Sequence, residues 1–227
     1  MKKTEKTTAT QSTEHVAISA PNMKIGEIWI MGDAPLTIHK FSEKAKNAIK
    51  ATQTAGSTAK SKKKREAKDF AECFQQARHI STEGWDGIPA TAFRQACISA
   101  CRLVGYKMTL AKLSIFVVAD GIDRDEGTPL VKIIGGEPRQ LESMVRIGPQ
   151  KTVDIAVRPQ WVKWGARLRI RYDADQFTAS DIANLISRVG MQVGICEGRP
   201  DSPSSAGMGW GTFEISDKES VMALAEG

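Results

Sequence analysis

Six residues in the second half of the chain, Arg167-Leu-Arg-Ile-Arg-Tyr172, alternate strictly between charged and apolar. A period of two puts Leu168, Ile170 and Tyr172 on one face of a strand and Arg167, Arg169 and Arg171 on the other, as expected of a half-buried strand. The residues that follow extend this into a larger unit. Thr178-Ala-Ser-Asp181 has the form of a capping box with Asp in place of Glu. Ile182, Leu185, Ile186 and Val189 make one apolar helical stripe, and Gly190 stands where a helix end favours a left-handed residue. Met191 to Cys196 is expected to resume as a strand. A polar loop over 197–205 leads into Gly207-Met-Gly-Trp-Gly211 and a final strand, Thr212 to Ile215. Glycines alternating with large apolar residues permit close backbone approach, either over a helix or around a phosphodiester backbone.

The earlier part of the chain supplies partners for this unit. Lys24 to Met31 reads as a strand, broken by Gly32-Asp-Ala-Pro35. Phe41 to Thr54 reads as a helix capped by Ser42, with Phe41, Ala45, Ala48 and Ile49 inward. Residues 55–68 are small, polar and strongly basic, a mobile loop insert, and a short helix from Asp69 to Arg78 follows. Trp85-Asp-Gly-Ile-Pro89 is a turn that launches a helix from Pro89 to Val104, with Gly105 at its end. Its inward stripe is Phe93, Ala96, Cys97, Ala100, Cys101 and Val104. Further strands are expected at Leu113 to Ala119, Leu130 to Ile134 and Thr152 to Val157, with an irregular excursion between the last two. Two β-α-β passes separated by a β-rich segment at about 120–160 predict an α+β fold. The expectation is a ferredoxin-like or RRM-like antiparallel sheet with helices on one face, plus insertions. Residues 1–15 form an arm that is loose or borrowed by a neighbour, 16–216 a single domain, and 217–227 a tail.

Composition narrows the function classes. The chain has 227 residues, 41% of them apolar, enough for one sizeable core. No run of eighteen apolar residues exists and the first residues lack a secretory pattern, so a cytoplasmic protein of a bacterial host is expected. Cys73, Cys97, Cys101 and Cys196 show no metal-ligand pairing, and Cys97 and Cys101 fall on an apolar helix face, as small hydrophobes. The formal net charge of +6 favours an anionic partner, of which nucleic acid is the commonest.

Several groups are candidates for contact with such a partner. Arg167, Arg169 and Arg171, with Arg158 ahead of them, either bind phosphates or form a solvated face salted against acidic neighbours. Lys60, Lys62, Lys63, Lys64, Arg65 and Lys68 are the densest charge in the chain, a loop that either embraces a nucleic-acid strand or simply solubilises. Trp161 and Trp164 flank the arginine strand and Trp210 lies in the glycine loop, each a base-stacking or a core residue. His39, with Lys40 beside it, is the one candidate for acid–base cleavage of RNA, against a structural histidine. Asp120, Asp123, Asp125 and Glu126 partly imitate a calcium loop but lack its later glutamate, so they read as a solvated turn. The motifs of nucleotide-, metal- and nucleophile-dependent enzymes are missing from the sequence, and neither a cofactor nor a metal is expected.

Gly194-Ile-Cys-Glu-Gly-Arg-Pro200 through Gly207-Met-Gly-Trp-Gly-Thr-Phe213 resembles the repeat-associated (RAMP) proteins of CRISPR effector complexes. Those are RRM-like folds with a C-terminal glycine-rich loop running into a last strand. Trp85-Asp-Gly-Ile-Pro-Ala-Thr-Ala-Phe-Arg-Gln-Ala96 is similar to their loop-then-helix segment. Ala34 to Ser42 is similar to an Ala-Pro-Leu-x-x-His-Lys-Phe-Ser segment of phage-encoded proteins. The resemblance implies a non-catalytic, backbone-type subunit that coats single-stranded RNA or DNA as a homo-oligomer or filament, alone or with other phage or effector-complex subunits. Gly207, Gly209 and Gly211 then shape the loop and Arg199 lies near the strand. The alternatives are a phage structural or assembly subunit, and an endoribonuclease using His39.

Overall fold

A computed structural model of the chain describes residues 18–41, 43–55, 68–147, 152–202 and 207–226. Its centre is an antiparallel four-stranded sheet. Two long strands, β1 (Met23–Gly32) and β9 (Gly165–Asp173), pair over nine residues, from Met23 opposite Asp173 to Met31 opposite Gly165. Strand β10 (Phe213–Ser216) adds to the free edge of β1, and β4 (Ile115–Val118) to that of β9. The order is β10-β1-β9-β4. Ranked by chain position these are the fourth, first, third and second strands of the sheet. Helix α3 (Ala90–Cys101) lies between the first and second, and α5 (Ala179–Arg188) between the third and fourth.

The alternation of β9 sets which face of this sheet is dry. Ala166, Leu168, Ile170 and Tyr172 are buried beside Ile30 of β1 and Ile115 of β4. Against them pack Phe93, Ala96, Cys97, Ala100 and Cys101 of α3 and Ile182, Leu185 and Ile186 of α5. Burying each large side chain is worth roughly 1.5–3 kcal/mol. Phe213 joins the layers through edge-on contacts with Phe93 and Trp164, at 6.2 and 6.0 Å between ring centroids. Helix α5 begins with the expected capping box, Thr178 and Asp181 each bonding the other's backbone amide.

Two smaller sheets flank this core. Strand β2 (Leu36–Thr37) pairs with β8 (Thr152–Trp161), which pairs in turn with β7 (Arg139–Ile147). The supposedly irregular stretch before Thr152 therefore holds a nine-residue strand. Its polar residues, spaced between Leu141 and Val145, hide the alternation. The third sheet is β3 (Gly87–Pro89), β6 (Pro129–Lys132) and β5 (Gly121–Ile122), so part of the expected turn at Trp85 to Pro89 is strand.

Other expectations need correction. Met191 to Cys196 is no strand: α5 runs into a π turn, Val189–Val193, and a loop. Gly190 does not end the helix in a left-handed conformation. It sits inside that turn so tightly that a Cβ would lie 1.9 Å from the Phe213 carbonyl oxygen, and Gly194 (φ 67°) makes the break. Helix α3 stops three residues before Val104, in a 3₁₀ turn that leaves Val104 half exposed, and Pro89 is its cap rather than its first residue. A further short helix, α4 (Met108–Ser114), takes the start of the expected strand at Leu113. The first helix, α1 (Glu43–Ala55), exposes Phe41 beside it and its own Ile49, both expected inward. The cap proposed for it, Ser42, lies outside the described residues. Helix α2 (Phe70–Gln76) is capped by Asp69. The C-terminal tail folds too, as α6 (Lys218–Ala223), capped by Asp217 and anchored by the buried Val221 against Gly165. Among the described residues no helix is long and apolar enough to cross a membrane.

The acidic loop is the largest departure from the sequence reading. Asp123 is buried, not solvated, and Lys40 and His79 are buried with it. The Lys40 ammonium donates to Asp123 at 2.9 Å and to Asp125 at 2.7 Å, and His79 Nδ1 lies 2.9 Å from the other Asp123 oxygen. The backbone amides of Asp125 and Glu126 also donate to Asp123. Burial alone would raise the Asp123 pKa. The bonds from Lys40, His79 and the two amides outweigh it and hold the carboxyl at about 2. Burial likewise opposes charge on Lys40, but Asp125 and Asp123 prevail and raise its pKa.

The cluster makes two predictions. Asp123→Asn, which leaves the buried Lys40 ammonium with Asp125 as its one remaining carboxylate, should cost about 2–4 kcal/mol in urea denaturation; a loss below about 1 kcal/mol would contradict the cluster's role. A carboxyl depressed from its ordinary value to about 2 contributes roughly 2 kcal/mol, fully present above about pH 4 and lost as pH falls toward 2. That acid-induced loss should be smaller in Asp123→Asn.

Candidate functional site

The arginine column of β9 faces away from α3 and α5. Strand register sets Trp29 beside Arg167 and Glu27 beside Arg169, on the same face of the sheet. Two walls stand over this face: α6 on one side, and on the other the turn carrying Trp85 with the end of β6. Between them is a cleft of about 590 Å³, lined by Trp29, Trp85, Arg167, Arg169, Lys132 and Lys218 among others.

Its electrostatics centre on Asp120. One oxygen of that carboxylate accepts from both Arg167 Nη2 and Arg169 Nη2, each at 3.1 Å, while the other accepts the Lys132 amide at 3.0 Å. Arg169 also donates to the Ala119 carbonyl at 2.7 Å, and its Nε is buried with no partner among the described residues. The two side chains keep about a third of their surface in solvent, 39% for Arg167 and 32% for Arg169. Arg171 lies instead over Phe116, 5.1 Å from the ring centroid, and is exposed. Two of the three arginines are therefore partly neutralised, contrary to a bare cationic face. The cleft is lined by four cations, Lys132, Arg167, Arg169 and Lys218, and three carboxylates, Glu27, Glu83 and Asp120.

The two tryptophans have matching surroundings. Trp29 Nε1 donates to Glu27 and Trp85 Nε1 to Glu83, both at 3.1 Å, and the ammoniums of Lys218 and Lys132 stand 6.0 Å from the respective rings. Trp85 can lie flat only because Gly87 and Gly121 lie beneath it. A Cβ on Gly121 would come within 2.7 Å of its Cζ2. These aromatic and basic residues were not singled out in the sequence, because Trp29 reads as one apolar position of a strand and Trp85 as part of a turn. The repeated Glu-x-Trp pair, 27–29 and 83–85, is the signal that could have found them.

The remaining candidates lie elsewhere. Arg158, on β8, bonds Ser143 and pairs with Glu197 at 3.7 Å; its Nε is a second buried atom with no partner among the described residues. Lys68 bonds the Ile155 carbonyl and pairs with Asp154, so it lies along β8 as well. Lys60, Lys62, Lys63, Lys64 and Arg65 lie outside the described residues. Gly207, Gly209 and Gly211 all take φ near 70°, and Gly211 meets the Ile195 carbonyl where a Cβ would be 2.1 Å away. Trp210 packs on Gly198, Arg199 turns back to the Cys196 carbonyl, and Asp201 bonds Ser99 and Arg102 at the end of α3. The glycine loop bonds to its own neighbouring loops, the Gly211 amide donating to the Pro35 carbonyl and the Trp210 amide to that of Gly198. Trp161 and Trp164 are core. The thiols of buried Cys97 and partly buried Cys196 are pushed up to about 12 by desolvation, and all four cysteines are free.

His39 and Lys40 do not form an acid–base pair. His39 is exposed near Arg158 and Glu197, with its pKa lowered first by desolvation and then by Arg158, whereas Lys40 is committed to Asp123 and Asp125. Among the described residues no group of three or more His, Cys, Asp or Glu side chains is placed to hold a metal.

Neither protein-family models nor curated proteins give a match to this chain.

Replacing Gly121 by Ala should lift Trp85 off its seat and shift its emission, read as the difference between variants with and without Trp85→Phe. Gly136→Ala, whose Cβ meets nothing within 4 Å, should leave the emission unchanged. An unchanged spectrum for both would contradict the seating of Trp85.

Proposed function

We propose that this protein binds single-stranded nucleic acid, without catalysis, in the cleft on the open face of its four-stranded sheet. The strand order and the two crossover helices support reading that sheet as ferredoxin-like. The observation that carries the functional reading is the pairing of two half-buried indoles with four cations in one open cleft. Indoles supply stacking surfaces for any base, and the cations meet the backbone.

The lysines over the rings do not block this use. A cation–π contact at an exposed site is worth about 0.5–1 kcal/mol, and a stacked base about 1–3 kcal/mol. An incoming base displaces the ammonium, which then lies free to pair with the adjoining phosphate. Arg167 and Arg169, preorganised by Asp120, form the less mobile part of the phosphate contact, and the basic residues of 60–68 add a salt-sensitive tether.

Assembly along the strand is part of the proposal, in the manner the RAMP resemblance implies. The exposed apolar residues of the β7–β8 hairpin, Met144, Val153 and Ile155, favour contact with another subunit. They equally support the second reading, a phage structural or assembly subunit. On that reading nucleic acid is not bound at low salt.

Fluorescence anisotropy with a labelled single strand tests the proposal. Log affinity should fall linearly with log salt, by about 0.7 for each phosphate contact, and the single strand should be preferred to duplex. Trp29→Ala and Trp85→Ala should each weaken binding about tenfold, and Arg167→Ala with Arg169→Ala should flatten the salt slope. Binding indifferent to all four changes would place the ligand elsewhere, and no binding at low salt would end the proposal.

A further inference from the structure

The carboxylates of the cleft are out of place in a surface that only holds a polyanion. Glu27 and Glu83 each stand two residues before a tryptophan and accept that tryptophan's indole proton at 3.1 Å. Each bond occupies one carboxylate oxygen. The second oxygen of Glu83 accepts no hydrogen bond among the described residues, and that of Glu27 has only Arg167, 3.9 Å away. A residue needed merely to hold an indole need not carry charge, since a glutamine accepts the same bond. What a carboxylate adds is a strong, acceptor-only edge beside the stacking surface.

Taking the cleft as the nucleic-acid site proposed above, we infer that Glu27 and Glu83 read the edges of the stacked bases and select those bearing an exocyclic amino group. Cytosine presents an N4 amino donor where uracil presents an O4 acceptor. A carboxylate accepts from the first and faces an unpaired acceptor in the second. The charge count agrees with this assignment, because three carboxylates among four cations offset most of the phosphate attraction in the cleft. Affinity there depends on what the base edges return. Each stacking surface carries its own reader, so the preference applies to two bases.

Cytosine and uracil have similar rings and stack comparably, which isolates the edge from the ring. The test compares oligo-deoxycytidine with oligo-deoxyuridine, each about twelve nucleotides long, at neutral pH and moderate salt. The native protein should bind the cytidine strand about tenfold or more tightly. Glu27→Gln with Glu83→Gln keeps an acceptor for each indole and removes two charges. It should bind the uridine strand more tightly than the native protein does and bring the two strands within about twofold of each other. Equal binding of the two strands by the native protein, or a preference untouched by the double substitution, would overturn the inference and leave the binding proposal standing. Failure of either strand to bind would overturn both.

Discussion

Strand β9 has to satisfy two environments at once. Leu168 and Ile170 are fully buried under α3 and α5, and each is flanked in sequence by arginines that cannot share that interior. Because successive side chains alternate, closing the core over one face forces the guanidiniums onto the other. A shift of one residue in the pairing with β1 would put Arg169 where Leu168 lies. Register is thus fixed by the cost of burying a charge, and with it the placement of Trp29 beside Arg167.

The second support of the cleft comes from a short stretch of chain between two aspartates. Asp120 turns outward and gathers Arg167, Arg169 and the Lys132 amide, whereas Asp123, three residues on, turns inward to Lys40 and His79. Gly121, the seat of Trp85, lies between them. The buried ion cluster therefore anchors the segment that sets the cleft's charge and seats one of its aromatic surfaces. Such a cluster is worth little net stability against an apolar replacement, but removing one member is costly. This makes it better at fixing where the loop sits than at stabilising the fold as a whole.

The periodic elements were legible in the sequence and the tertiary ones were not. The alternation at 167–172, the stripe from Ile182 to Val189 and the box at Thr178 each follow from a local rule, and each stands in the structure. Strand β7 escaped because Gln140, Glu142 and Ser143 dilute its pattern, and Met191 to Cys196 misled because a β-rich composition can equally continue a helix by a π turn. At the candidate site, the arginines were found because they repeat. Trp29 and Trp85 are 56 positions apart in sequence, and only the packing of the third sheet against the open face makes them neighbours. Lys40 looked like a catalytic partner for His39 because adjacency in sequence hides that His39 is exposed whereas Lys40 is buried on Asp123. The glycine loop drew attention for its backbone freedom, which serves its passage over Ile195 and Gly198.

On the proposed function, the open sheet face, not the glycine loop or the helix side, receives a single strand. Indole N–H resonances report on all five tryptophans separately, and they divide into two at the cleft, two in the core and Trp210 at the glycine loop. Titration with an unlabelled single-stranded oligonucleotide should shift the Trp29 and Trp85 indole signals together with the Arg169 Nε–H, and leave Trp161, Trp164 and Trp210 in place. Shifts confined to Trp210, with the cleft signals unmoved, would contradict the account.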